Sequence, residues 1–262
     1  MAEPRIALAR VTKTYGAHVA LSEASLTVQA GEFVALVGAS GSGKTTLLKT
    51  INGLIAPDAG EVRIEGEVVG ALAPHLLRRR IGYVFQEVGL FPHLTVAENI
   101  SITPKLLGWD KTRRAARAAE LLDLVALPQE MASRFPAALS GGQQQRVGVA
   151  RALAAEPHIV LMDEPFGALD PLTRDALGDD YRALHERLNL ATVMVTHDMT
   201  EALLLADRIV VVAQGRLIAD GAPQALAASH DPDVAALLAA PRRQAERLRA
   251  RLGDTARLGE TV

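Results

Sequence analysis

Gly38, Gly41 and Gly43, followed by Lys44, Thr45 and Thr46, have the types and spacing to hold a phosphate chain. The stretch Gly38-Ala39-Ser40-Gly41-Ser42-Gly43-Lys44-Thr45-Thr46 fits the pattern G-x-x-x-x-G-K-[ST] at every fixed position. Glycines let successive backbone N–H groups turn into one hollow, and a helix starting there adds partial positive charge. Lys44 has the reach for β- and γ-phosphates, and the Thr45 hydroxyl suits Mg²⁺. The bland alternative, a glycine-rich turn with a surface lysine, is weakened by the flanks. Phe33 to Val37 reads as a buried strand, and Leu47, Leu48 and Ile51 fall on one helical face before the stop signal Asn52-Gly53.

Other polar residues stand where further apolar runs end. Ile159 to Met162 precedes Asp163 and Glu164; alternation along a strand sends two adjacent carboxylates to opposite faces, one toward a metal shell and one toward a water beyond the γ-phosphate. Ala191 to Thr196 precedes His197, whose ring can donate to a phosphate oxygen while a neighbour orients it; a structural histidine is the plainer reading. Ile81 to Phe85 precedes Gln86, whose amide could reach a metal or a water but also fits an ordinary loop. With Thr45 and Asp163, Gln86 makes up the candidate metal set. Tyr15 ends the first strand and offers either a face for an adenine ring or a strand-edge contact. Ser140-Gly141-Gly142-Gln143 before a helical run is a second candidate anion cradle, or simply a capped helix.

The elements around these residues follow from pattern. Residues 6 to 34 read as short strands with turns at 16–18 and 30–32, and 61–69 reads as a hairpin about Glu65-Gly66. Arg78-Arg79-Arg80 reads as a solvated face. From about Gly89 to Pro157 strand patterns vanish. Thr95 to Glu98 reads as a capping box, and Arg113 to Ala126 as an amphipathic helix with Ala116, Ala119, Leu122 and Val125 or Ala126 on its apolar side. This stretch is expected to be a helical lobe inserted in an α/β core. Ala168-Leu169-Asp170 is a turn before a polar helix, 208–219 a hairpin about Gln214-Gly215, and residues from Pro241 on form an Arg-rich helix or frayed end.

The 262 residues suffice for a sizeable core. A net charge of −2 gives no electrostatic case for nucleic acid, and the lack of cysteine excludes disulfides, thiolate metal sites and cysteine nucleophiles. Met1 to Arg5 shows no basic segment leading into an apolar one, so no secretory leader is expected, and no apolar run is long enough to cross a bilayer.

Taken together, these residues resemble the ATP-binding subunit of an ABC transporter over residues 6 to about 225. The order of elements is that family's: Tyr15, the phosphate loop, Gln86, the pentapeptide Leu139-Ser140-Gly141-Gly142-Gln143, the Asp163-Glu164 strand, the turn at 168–170, and His197. The resemblance implies a P-loop NTPase core with a mixed, mainly parallel central sheet, an N-terminal antiparallel β part and an inserted α-helical lobe. It implies an ATPase domain over 4–240, divided into a nucleotide-binding core (1–88 and 158–240) and a helical lobe (89–157), with an Arg-rich tail over 241–262. ATP and Mg²⁺ are the implied cofactors, with Glu164, His197 and Gln86 catalytic and Ser140 to Gln143 covering the ATP of a second copy. The implied partners are that second subunit, membrane-spanning permease subunits and, through them, an external solute-binding protein. The implied location is the cytoplasmic face of the membrane. Within the family, Val88 to Ile100 and Pro104 to Trp109 are similar to importers of osmoprotectants such as glycine betaine and choline, although Glu87 stands where a second glutamine is expected. An importer of another solute, such as amino acids, or a soluble ABC ATPase uncoupled from transport, is the alternative.

Overall fold

A computed structural model describes residues 3–167, 169–229 and 231–252. In chain order the strands are β1 (Ile6–Tyr15), β2 (His18–Val28), β3 (Phe33–Val37), β4 (Ala59–Ile64), β5 (Glu67–Val68), β6 (Ile81–Val84), β7 (Ile159–Asp163), β8 (Ala191–Val195), β9 (Arg208–Ala213) and β10 (Arg216–Gly221). The α-helices are α1 (Lys44–Ile51), α2 (Pro74–Arg80), α3 (Val96–Ile100), α4 (Ile102–Leu106), α5 (Lys111–Leu124), α6 (Gly141–Leu153), α7 (Pro171–Leu188), α8 (Met199–Leu205), α9 (Pro223–Ala227) and α10 (Pro232–Leu252).

Two sheets form. A four-stranded antiparallel sheet runs β2-β1-β4-β5, and a six-stranded sheet runs β10-β9-β3-β8-β7-β6. In the larger sheet β9, β3, β8, β7 and β6 are parallel, and only β10 runs against its neighbour. The central strands are apolar on both faces because both faces are covered. Along β3, Phe33, Ala35 and Val37 join a core that takes in α7, α8 and the helical stretch, whereas Val34 and Leu36 join a second core made with the antiparallel sheet. This is the two-residue period of a strand serving two layers at once. The β1–β2 pair is a single long hairpin rather than a series of short strands, its register shifted at bulges near Val11 and Lys13.

Between β6 and β7 no strand forms, as expected. Thr95 caps α3 in a reciprocal box with Glu98, and Asp110 caps α5 by accepting from the Arg113 N–H; caps of this kind contribute about 1 kcal/mol each. The buried face of α5 is offset from the expected one. Leu122 and Val125 of the expected face are buried, but with Ala118 and Leu121 beside them, while Ala116 is exposed and Ala119 only half-buried. With alanines at 115, 116, 118 and 119, two adjacent stripes are nearly equal in hydropathy, and the leucine pair selects between them. The arginine run at the end of α2 is not wholly solvated either. Arg80 donates to Glu65 (2.9 Å) and Glu67 (3.0 Å). Of the tail expected over 241–262, residues 241–252 continue α10, with Pro241 inside the helix; residues 253–262 lie outside the described residues, as does Ala168 of the expected turn.

Candidate active site

Strands β3, β8, β7 and β6 are parallel neighbours, so their carboxyl ends open on one edge of the sheet. The residues just past those ends are the phosphate loop, His197, Asp163-Glu164 and Gln86. In open α/β sheets this edge is where ligands bind.

The loop after β3 is shaped by its glycines. Gly43 has φ +111 and forms the N-cap of α1; a Cβ there would overlap the Ala20 carbonyl oxygen. Gly41 has φ +77 and open space about it. Ser42 is buried, whereas Ser40 is exposed. The Ser42 N–H donates to the Ala39 carbonyl, and the Thr46 carbonyl accepts from the Thr50 hydroxyl within α1. Lys44 is buried, and its Nζ donates to the Gly38 and Ala39 carbonyls at 2.8 Å each. Burial lowers its pKa, and the carboxylates of Glu164 and Asp163 pull it back up.

The strand ends meet this loop in two contacts. The Thr45 hydroxyl donates to Asp163 Oδ1 at 3.2 Å. One residue later, Glu164 Oε2 accepts from the Gln86 amide and from His197 Nδ1, both at 3.2 Å. Burial pushes the Asp163 carboxyl up, opposed by the Thr45 hydrogen bond and the Lys49 and Lys44 charges. The two carboxylates separate differently from the expected strand alternation. β7 ends at Asp163, and Glu164 takes a left-handed conformation, φ +45, that turns its side chain toward β6 and the loop after β8. Such a conformation in a non-glycine residue costs on the order of 1–3 kcal/mol and gathers at functional sites.

Asp163 and Thr45 offer an oxygen pair, and the Gln86 amide carbonyl is a third candidate oxygen. That donor set fits Mg²⁺, which binds through one or two protein oxygens together with phosphates. Among the described residues no cluster of three His, Cys, Asp or Glu side chains could hold a metal without phosphate.

The other predicted residues stand apart. Ser140 caps α6 in a reciprocal box with Gln143. Gly142 lies so close to Thr173 that a Cβ would press on its methyl group at 2.7 Å. Ser140 to Gln143 line an open cavity of about 540 Å³ with Leu169, Asp170 and Thr173. The phosphate loop lines a different one, of about 690 Å³, with no residue in common. Tyr15 ends β1 half-exposed, with the Lys13 ammonium 5.5 Å from its ring centroid. The residues that share the phosphate-loop cavity include His18, Val19 and Gln214. Sequence reasoning missed all three, because nothing local marks them and only the closing of the two sheets brings them there.

Residues 21–167 match the family model described as ABC transporter. The chain belongs to that family. Among relatives, it is 52% identical over 219 residues to the choline transport ATP-binding protein OpuBA of Bacillus subtilis (strain 168), covering 83% of this chain and 58% of the relative. It therefore spans little more than half of that protein's length. It is 49% identical over 218 residues to the glycine betaine uptake system ATP-binding protein YehX of Escherichia coli (strain K12), covering 83% of this chain and 71% of the relative. Among solved structures, the dimeric post-hydrolysis state of the ATP-binding cassette MJ0796 bound to ADP and Pi superposes with a TM-score of 0.76, at 37% identity, over 83% of this chain and 98% of that one. This ABC chain shares the fold of that cassette. Among its described residues no helix is long and apolar enough to cross a membrane.

Proposed function

We propose that this chain is the ATP-hydrolysing subunit of an ABC importer for osmoprotectants of the glycine betaine or choline kind. The observation that carries the reading is the meeting of Asp163 with Thr45 and of Glu164 with Gln86 and His197 around one phosphate loop. The loop N–H groups and Lys44 hold the β- and γ-phosphates. Thr45, Asp163 and the Gln86 carbonyl would hold Mg²⁺, which would supply neutralisation of the phosphate charge. Glu164 keeps one oxygen on Gln86 and His197 and takes a proton from the attacking water with the other. His197 donates through Nδ1 to Glu164, which leaves Nε2 for the γ-phosphate. Tyr15 stacks on the adenine.

The two separate anion cradles support a head-to-tail pair, in which Ser140-Gly141-Gly142-Gln143 of one copy covers the ATP held on the phosphate loop of the other. Such an interface is two-fold and closes on itself. ATP then binds the closed state far better than the open one, and hydrolysis releases it. The helical lobe over 89–157, distinct from the core over 1–88 and 158–240, passes the motion to membrane-spanning permease subunits at the cytoplasmic face, which receive solute from an external binding protein. The names of the relatives support the solute class.

Purifying the chain with its permease and binding protein, and identifying the solute whose uptake into vesicles follows ATP, tests this. A quaternary-ammonium solute taken up by the natural protein and not by Lys44→Ala is expected. Uptake of an amino acid or an inorganic anion instead would overturn the solute class, and uptake unaffected by Lys44→Ala would overturn the ATPase role.

A further inference from the structure

The helical lobe holds a cavity of about 300 Å³ between α3, α4 and the start of α5, far from the phosphate loop in sequence and lined by none of the residues of the site above. Its walls carry Lys105, Lys111 and Arg114 against one carboxylate, Glu98. One oxygen of that carboxylate, Oε2, is engaged within α3, accepting from the Thr95 N–H (2.8 Å) and hydroxyl (3.0 Å). The Thr95 hydrogen bonds hold the Glu98 carboxyl low with help from the Lys105 charge, but among the described residues none of the three cations forms an ion pair or a side-chain hydrogen bond. The Arg114 Nε is buried with no partner. Arg117 and Arg174 also have an orphaned Nε, but their terminal nitrogens are held by carboxylate and carbonyl oxygens. Arg114 lacks even these. A buried donor without an acceptor is costly, and it calls for a missing water or ion.

The placement of the charges is also against local rule. The first turn of α5 carries Lys111, Arg113 and Arg114 and no acid, at the helix end whose dipole is already positive. Arg113 is drawn aside, its guanidinium 3.4 Å from the Trp109 ring centroid and 3.7 Å from Glu156. Lys111 and Arg114 have no such relief. The Asp110 carboxylate at the N-cap offsets part of this charge, and the surplus that remains is a broken local rule of the kind found at functional sites. The Ser101 hydroxyl adds a donor to the same wall, and Leu94 and Ile102 give an apolar one.

The geometry points to an anion site in the helical lobe that takes a phosphate group attached to a small organic body. Arg114 presents a planar fork of donors to two phosphate oxygens, Lys105 and Lys111 add point charges, Ser101 adds a hydroxyl, and the apolar wall receives the attached carbon atoms. A cavity of this size suits a small molecule or a head group rather than a folded segment. The phosphate can belong to a soluble ester or to an anionic lipid.

The test is equilibrium binding of two probes to the full chain, inorganic phosphate and vesicles of phosphatidylglycerol in phosphatidylcholine. Lys44→Ala serves as background, so that the phosphate loop does not compete. Adding Lys111→Gln and Arg114→Gln is expected to weaken at least one probe by roughly tenfold or more. The single exposed change Lys105→Glu should weaken the same probe, with the fold checked by circular dichroism. Loss confined to vesicles assigns a lipid head group, and loss with free phosphate assigns a soluble ester. If neither probe binds, or if binding is the same with and without these substitutions, the site does not exist.

Discussion

At the scale of single residues, two neighbours in the chain send their carboxylates to different partners of the proposed site. Asp163 completes β7 and turns to Thr45, whereas Glu164 leaves the strand through a left-handed bend and turns to Gln86 and His197. Glu164→Gln should therefore leave ATP affinity within a few-fold while lowering turnover by roughly 10²–10⁴-fold, the usual contribution of a positioned general base. Single-turnover hydrolysis beside equilibrium nucleotide binding separates the two effects. Lys44→Ala should act the other way and lose nucleotide retention, because the cation at the floor of the loop goes; a filter-binding assay reads this directly. The residue types and their strand-end positions were legible in the sequence, since each follows an apolar run. The bend at Glu164 was not, because a positive φ in a glutamate has no signature in neighbouring residue types.

At the scale of elements, the phosphate loop is pinned from behind. Gly43 sits against the Ala20 carbonyl of β2, so Gly43→Ala adds an overlap to a backbone conformation that side chains avoid. A loss of about 1–3 kcal/mol in stability is expected, read by urea unfolding, together with weaker ATP binding. The far end of the sheet holds a buried polar chain. Gly31 can only accept through its carbonyl, so His185 Nε2 donates to it at 3.2 Å. In the neutral ring Nδ1 then accepts from the Thr192 hydroxyl at 2.9 Å, and Thr192 accepts from Tyr181 at 2.8 Å. Burial lowers the His185 pKa. The unfolded chain thus takes up a proton that the folded one refuses, and the stability from this group is present above the ordinary histidine pKa and falls as pH drops through it. Urea midpoints at about pH 7.5 and about pH 5 should differ more for the natural protein than for His185→Gln. Sequence patterns showed α7 and β8 but not this link, since the partners come from those two elements and from the turn before β3. The offset face of α5 was hidden for another reason: a run of alanines marks a helix without marking its buried side.

At the scale of the whole molecule, the phosphate loop and Ser140 to Gln143, proposed above as two anion cradles, line separate cavities that one chain does not bring together. Both were legible as motifs, and so was the α/β core, because motif order and strand pattern are local. The distance between the cradles and the packing of β1–β2 against the loop are set by the whole fold. The central claim is that each ATP lies between the phosphate loop of one copy and Ser140 to Gln143 of another. Sedimentation of Glu164→Gln with ATP, beside the same protein carrying Ser140→Arg, tests it most directly. We expect an ATP-dependent dimer for Glu164→Gln, and for the double variant a monomer that still binds ATP. A dimer that forms equally well with Ser140→Arg, or a strictly monomeric natural protein that hydrolyses ATP at full rate, would contradict the account.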